Sequence, residues 1–95
     1  MDKHKEFLES ILGAQQVAFA GKKLVSCDLN PKDDSYRRFT FEGGDFQEYA
    51  VECLERGVEY EPMVGATLER IQHLGNHFYY YFDNQKQFCA QVDRG

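Results

Sequence analysis

The stretch HFYYYF, residues 77–82, decides the fold because it places six ring-bearing residues in a row without a turn signal. Side chains alternate along an extended strand, so the run divides into two sets of three that face opposite ways. The first set, called the Phe set, comprises Phe78, Tyr80 and Phe82. The second set, called the Tyr/His set, comprises His77, Tyr79 and Tyr81. At least one set belongs in an apolar core, and the other needs an explanation.

A second β-rich run, QFCAQV at residues 87–92, follows a polar turn and predicts a hairpin with the aromatic run. An even-length turn would place the Tyr/His set beside Phe88, Ala90 and Val92, whereas an odd turn with a bulge would place the Phe set there. In both registers three rings lie on the face away from that trio. Three such rings in water would form an apolar patch of roughly a few hundred Å², which monomers usually reserve for a partner or ligand. If both faces are covered, the run is simply core.

Apolar spacing predicts the remaining elements. Residues 7–12 are spaced for a helix that ends at Gly13, and alternation then predicts strands over 16–21, 23–29 and 36–42. Pro62 makes the segment 58–64 an edge strand or a loop. The run ATLERIQHL, residues 66–74, suits a helix or a strand, and its short length and Thr content favour a strand.

The segment GGDFQEYAVECLERG, residues 43–57, predicts an amphipathic helix over about 45–56. Asp45 is a candidate cap, Glu48 completes a capping box, and Gly57 follows the last turn. One stripe of this helix is apolar, and the opposite stripe carries Asp45, Glu48, Glu52 and Glu55. Like charges without basic partners weaken a helix, so the acidic stripe is either a solvated face or a docking site for a basic protein surface.

These elements predict an α+β fold in a single compact domain, residues 1–95. The N-terminal helix and the helix over 45–56 would pack on one antiparallel sheet of about five or six strands. Folding at this length buries about 60–65% of the surface of the unfolded chain, which leaves little apolar material for a deep active site. The size therefore favours binding at the surface.

The charge is negative and unevenly distributed. The formal net charge is −5, which argues against nucleic acid as a partner because phosphate binding depends on Lys and Arg. Residues 42–61 carry seven carboxylates against one arginine. No stretch is long and apolar enough to span a bilayer, and the charged start MDKHKEFLES lacks the apolar run of a signal peptide, so we expect a cytoplasmic protein without a membrane partner.

No motif predicts catalysis, a metal or a cofactor. His73 and His77 have the spacing of two metal ligands on a helix, but Gly75 and Asn76 between them should break a helix and no third ligand is near. The three cysteines are widely spaced, lie in apolar patterns and have no neighbouring base, which indicates reduced structural thiols. Gly43–Gly44 resembles a phosphate-binding turn in outline, but the acids after it would repel phosphate.

Two functions remain. The first is a small acidic non-catalytic binding protein, of the inhibitor, immunity or adaptor type, with a protein partner that has a basic surface or is a second copy of the chain. The alternative is a small-molecule-binding module or modest enzyme whose pocket is lined by the Tyr/His set. The candidate binding residues are His77, Tyr79, Tyr81, Glu48, Glu52 and Glu55.

Overall fold

A computed structural model describes residues 3–92, which form an α+β fold with one α-helix and six strands. The helix α1 spans Lys3–Phe19. The strands are β1 (Leu24–Asn30), β2 (Asp33–Phe41), β3 (Phe46–Ala50), β4 (Leu68–Leu74), β5 (His77–Phe82) and β6 (Gln87–Gln91). They form two antiparallel sheets, a first sheet ordered β1-β2-β3 and a second sheet ordered β4-β5-β6. The α+β class is confirmed, but the single sheet is replaced by two.

The two sheets face each other across an aromatic core. Phe39 of β2 stacks on Phe88 of β6 with ring centroids 4.4 Å apart, and Phe88 stacks on Tyr80 of β5 at 4.5 Å. Two isolated backbone bridges lie beside the strands: Lys23, just before β1, pairs with Thr67, just before β4, and Leu54, after the 3-10 turn that follows β3, pairs with Ala90 of β6. The pairing of stacked rings across the interior explains the high aromatic content of the chain.

The first helix is longer than predicted. It continues past Gly13 to Phe19, so the strand predicted over residues 16–21 is wrong. Gln15 is buried on this helix, and Phe19 stacks on Phe41 at 4.6 Å. A buried glutamine interrupts the apolar spacing that identifies a helix in the sequence, and Gly13 then resembles a helix end.

The helix predicted over residues 45–56 is wrong. Phe46–Ala50 forms β3, an edge strand paired with β2, and Val51–Cys53 forms a single 3-10 turn. Gly43 and Gly44 both have positive φ, 93° and 94°, and the Phe41 N–H donates to the Asp45 carbonyl at 2.8 Å. Consecutive residues at positive φ close a tight hairpin, so the two glycines lead back along β2 and not into a helix.

The other predicted strands are confirmed in outline. β1 and β2 overlap the ranges 23–29 and 36–42, and the ambiguous run 66–74 contains β4. The segment around Pro62 is a loop with a 3-10 turn at Glu61–Met63, consistent with the missing N–H of proline.

The β5–β6 hairpin takes the register that turns the Phe set inward. Tyr80 lies opposite Phe88, and Phe78 lies opposite Ala90. The Phe82 N–H donates to the Lys86 carbonyl at 2.9 Å, which closes a loop of three residues with Gln85 at a φ of 69°. This is the odd turn with a left-handed residue, built here without glycine.

Candidate protein-binding surfaces

The Tyr/His set lies on the outer face of the second sheet, on the middle strand. Cross-strand neighbours share a face in an antiparallel sheet, so the register defines the residues around the set. This outer face comprises Arg70, Gln72, Leu74, His77, Tyr79, Tyr81, Gln87, Cys89 and Gln91. The rings of the Tyr/His set are half-buried, and Leu74 is exposed.

Contacts within the sheet hold these rings in a row. Tyr79 and Tyr81 stack with centroids 6.4 Å apart and an interplanar angle of 17°. The guanidinium carbon of Arg70 lies 4.4 Å from the centroid of the Tyr81 ring, and the Tyr81 hydroxyl donates to Gln72 Oε1 at 3.3 Å. His77 lies 6.2 Å from Tyr79. The row is therefore preordered, which lowers the entropy that a partner would have to overcome.

The predicted acidic helix face is not formed, because the segment that carries it is not a helix. Glu48 lies on β3, where its carboxylate accepts a hydrogen bond from Asn30 Nδ2 at 2.6 Å and lies 3.3 Å from Arg38 Nε. These contacts tie Glu48 to the first sheet.

The other two candidate binding carboxylates of the predicted stripe, Glu52 and Glu55, lie elsewhere. Glu52 is exposed in the 3-10 turn after β3. Glu55 follows the bridge residue Leu54, and its Oε2 lies 3.7 Å from Sγ of Cys89. Glu55 thus borders the outer face at its β6 edge, separate from Glu48.

A second surface feature is an open groove beside β1, called the edge groove, with a volume of about 870 Å³. It lies between β1 and the segment 58–64. Its lining residues are Val25, Ser26, Cys27, Asp28, Leu29, Arg37, Val58, Glu59, Tyr60, Glu61, Pro62 and Val64.

A polar cluster forms one wall of the edge groove. Arg37 Nη1 donates to the Cys27 carbonyl at 3.0 Å, and the guanidinium carbon lies 4.9 Å from the centroid of the Tyr60 ring. The Tyr60 hydroxyl is buried and has no hydrogen-bond partner within residues 3–92. Burial raises the pKa of Tyr60 to about 12, although Arg37 acts in the opposite direction. The hydroxyl is thus a neutral group at physiological pH.

The two histidines with metal-ligand spacing point to opposite faces of the second sheet. His73 packs edge-on against Phe78 at 5.4 Å, and its Nδ1 lies 3.3 Å from Glu9 Oε1 on α1. His77 belongs to the outer face. Among the described residues, no group of three or more His, Cys, Asp or Glu side chains is placed to hold a metal ion.

All three cysteines are free thiols. Burial raises the pKa of the Cys27 thiol, against the opposing effect of Arg37. Burial, and then the neighbouring Glu55 carboxylate, raise the pKa of the Cys89 thiol. A raised pKa lowers the thiolate fraction, and the thiolate is the reactive form, so neither environment activates a nucleophile.

A buried hydrogen-bond network of three side chains joins α1 to both sheets. The Tyr80 hydroxyl donates to Gln15 Oε1, Tyr49 and Tyr80 share a hydrogen bond, and Gln15 Nε2 lies 3.4 Å from the Tyr49 hydroxyl. Burial raises the pKa of Tyr80 well above its usual value and raises that of Tyr49 as well. This network gives the buried polar atoms of the three side chains hydrogen-bond partners, so its role is structural.

No family model, no curated protein and no solved structure matches this chain. In the described range, 3–92, no helix is long and apolar enough to cross a membrane.

The sequence pointed to one of these two candidate surfaces. The aromatic run predicted the Tyr/His set, but the edge groove depends on β1 and the segment 58–64, which are far apart in the chain. The one signal available was Tyr60 between Glu59 and Glu61, an aromatic flanked by carboxylates in a segment broken by proline.

Proposed function

We propose that this chain is a small non-catalytic binding protein, of the inhibitor, immunity or adaptor type, that acts through protein–protein contacts. Its contact surface is the outer face of the second sheet. The observation that carries the proposal is the preordered row of half-buried rings of the Tyr/His set. Tyrosine and arginine are enriched in interface cores, because they bury apolar area while a polar tip remains hydrated.

The charge of this face also supports a protein contact. Arg70 is the one Lys, Arg, Asp or Glu among its nine residues, although the chain carries a net charge of −5. Interface cores are depleted in charged residues relative to the rest of the surface. A small-molecule pocket is less well supported: Tyr81 borders a groove of about 340 Å³ near the β5–β6 turn, but His77 and Tyr79 do not line that groove.

The partner we assign to this face is a second copy of the chain. Consider two copies packed face to face, related by a two-fold axis that runs parallel to β5 between them. The strand order of the second copy is then reversed, so the β4 edge of one copy faces the β6 edge of the other. Arg70 would then approach Glu55, which lies beside Cys89 at the β6 edge. The face therefore has an internal charge complementarity that suits self-association.

The dimer should be weak. The outer face spans three strands spaced about 4.8 Å apart and about five residues rising about 3.3 Å each. A standard interface buries about 800 Å² per partner, which is more than such a face provides. We therefore expect a concentration-dependent equilibrium and not a permanent dimer.

The test is sedimentation equilibrium from about 10 μM to about 1 mM, the range of weak protein complexes. The wild type should dimerise, and Tyr79→Glu with Tyr81→Glu should give a folded monomer. Tyr36→Glu, which places a carboxylate at an exposed tyrosine on β2, is the control for an added surface charge and should dimerise like the wild type. A wild-type monomer at all concentrations would refute the proposal.

A charge swap tests the two-fold geometry. Arg70→Glu alone and Glu55→Arg alone should each weaken dimerisation, because each places like charges across the interface. The double variant should restore it. If the loss of dimerisation free energy in the double variant equals the sum of the losses in the single variants, the two residues do not meet and the axis is wrong.

A further inference from the structure

We propose that the edge groove binds an extended peptide segment, with aliphatic side chains alternating with Lys or Arg, which adds as a strand to the free edge of β1. This surface is separate from the outer face of the second sheet and is bounded by other residues. The proposal rests on the free edge, the apolar lining and the acidic rim.

The first argument is the unpaired edge of β1. Within residues 3–92, β1 is an edge strand whose outer side pairs only at its start, near the Lys23–Thr67 bridge. There the Leu24 N–H donates to the Ala66 carbonyl at 2.9 Å, and the Leu24 carbonyl accepts from the Gly65 N–H at 2.8 Å. Beyond Leu24, the groove takes the place of the neighbouring strand.

The register shows which backbone groups face the groove. In an antiparallel pair, residues alternate between bonding to the partner strand and pointing away from it. The backbone N–H and C=O of Leu24, opposite Phe41, point away from β2. The bulge after Leu24 adds one residue to β1, so the backbone groups of Cys27, opposite Phe39, and of Leu29 also point away from β2. The N–H and C=O of Cys27 and Leu29 therefore face the edge groove, with the Cys27 carbonyl held by Arg37.

Exposed aliphatic side chains give the groove its second property. Val25, Leu29 and Val64 line it with 53%, 44% and 42% of their surfaces exposed. Three exposed aliphatic residues around one concavity form the kind of patch that a partner covers. Every second side chain of an added strand would point toward this lining.

The rim supplies the charge preference. Asp28, Glu59 and Glu61 border the groove, and Arg37, the one cation that lines it within residues 3–92, is already engaged with a carbonyl and with the Tyr60 ring. The uncompensated charge is negative. Lys or Arg at the alternate positions of the peptide would complement this rim, whereas Glu at those positions would be repelled.

The probe is a fluorescein-labelled seven-residue peptide with alternating Val and Lys, titrated with the full chain and followed by fluorescence anisotropy. We expect binding that weakens about tenfold or more with Glu59→Lys plus Glu61→Lys, as expected for two reversed rim charges. Glu6→Lys plus Glu69→Lys, which makes the same net change away from the groove, should leave binding within about twofold. A peptide alternating Val and Glu should not bind.

Backbone N-methylation separates strand addition from other modes of binding. Alternate N–H groups of an added strand face β1. N-methylation at either the odd-numbered or the even-numbered positions of the peptide should therefore abolish binding, and N-methylation at the other set should not. Equal loss with both sets, or no binding of the Val–Lys peptide, would overturn the proposal.

The amides of Cys27 and Leu29 identify the occupant. Their hydrogen exchange should slow when the peptide is added, and the Tyr79→Glu, Tyr81→Glu variant should bind the peptide as the wild type does. If these amides become protected on concentrating the protein alone, a second copy occupies the edge and the peptide proposal is wrong. Because the two surfaces share no residue, failure here leaves the proposed function intact, and the reverse also holds.

Discussion

The two faces of β5 carry nearly the same rings in different environments. On the inner face, Phe78, Tyr80 and Phe82 are exposed by 0%, 1% and 2%, and Phe88 stacks on Tyr80. On the outer face, the half-buried Tyr/His set touches side chains of its own sheet. The side of the strand, and not the aromatic character of the residue, decides which rings become core. That side is set by the hairpin register, through the three-residue loop that ends at Gln85.

The largest expected effect is the difference in stability between two single variants, one that truncates an inner ring of β5 and one that truncates an outer ring. Phe78→Ala should lower the free energy of unfolding by about 3–5 kcal/mol, because it leaves a cavity in a packed core. Tyr79→Ala should cost less, about 1 kcal/mol, because the outer ring is only half-buried and its loss leaves no cavity in the core. Urea denaturation of dilute protein would measure both, and equal losses would show that the outer face is buried after all.

Alkaline pH should destabilise the fold through the inner tyrosines. Burial raises the pKa of Tyr49, Tyr60 and Tyr80 above the unfolded value of about 10, so below pH 10 both folded and unfolded states keep these protons. Above pH 10 the unfolded chain ionises first, and stability falls until the pH passes the folded values, which for Tyr60 means about pH 12.

This pH effect can be measured by urea unfolding at a series of pH values between 8 and about 11.5. Each proton that the folded state retains adds a slope of about 1.4 kcal/mol per pH unit. Tyr80→Phe should flatten the slope relative to wild type. A stability that stays constant above pH 10 would contradict the burial of these hydroxyls.

A smaller effect distinguishes two buried hydroxyls. Tyr80→Phe should cost about 1–2 kcal/mol, because Gln15 Oε1 and the Tyr49 hydroxyl each lose their hydrogen bond to Tyr80. Tyr60→Phe should cost nothing or stabilise slightly, because the Tyr60 hydroxyl has no partner to lose within the described residues. Thermal and urea midpoints would rank the two variants, and the reverse order would show that Tyr60 makes the more valuable hydrogen bond.

Alternation of apolar residues predicted the strands β1, β2, β5 and β6 from the sequence, because each has one face in the core. The register of β5–β6 was left open, because the left-handed position of the loop is filled by Gln85 and not by glycine. The folded core selects the register that buries the Phe set against Phe88. Local sequence alone does not contain that preference.

The misassigned segments fail for a physical reason. The run after Gly43–Gly44 has helical spacing and a capping box, but tertiary pairing with β2 overrides both. Likewise, α1 buries Gln15, whose partners Tyr49 and Tyr80 are more than thirty positions away. The acidic stripe disappeared with the predicted helix. The Tyr/His set remained a candidate because strand alternation separates it from the Phe set and the observed register places it on the outer face.

The central claim, that the outer face of the second sheet contacts a second copy, is tested most directly by NMR chemical shifts of the full chain as a function of concentration. We predict that raising the concentration from about 10 μM to about 1 mM, the range of weak complexes, shifts the amide signals of His77, Tyr79 and Tyr81 and their cross-strand neighbours Gln72 and Cys89. The inner-face and α1 signals should move little. Concentration-dependent shifts centred on α1 or on β1, or none across this range, would contradict the account.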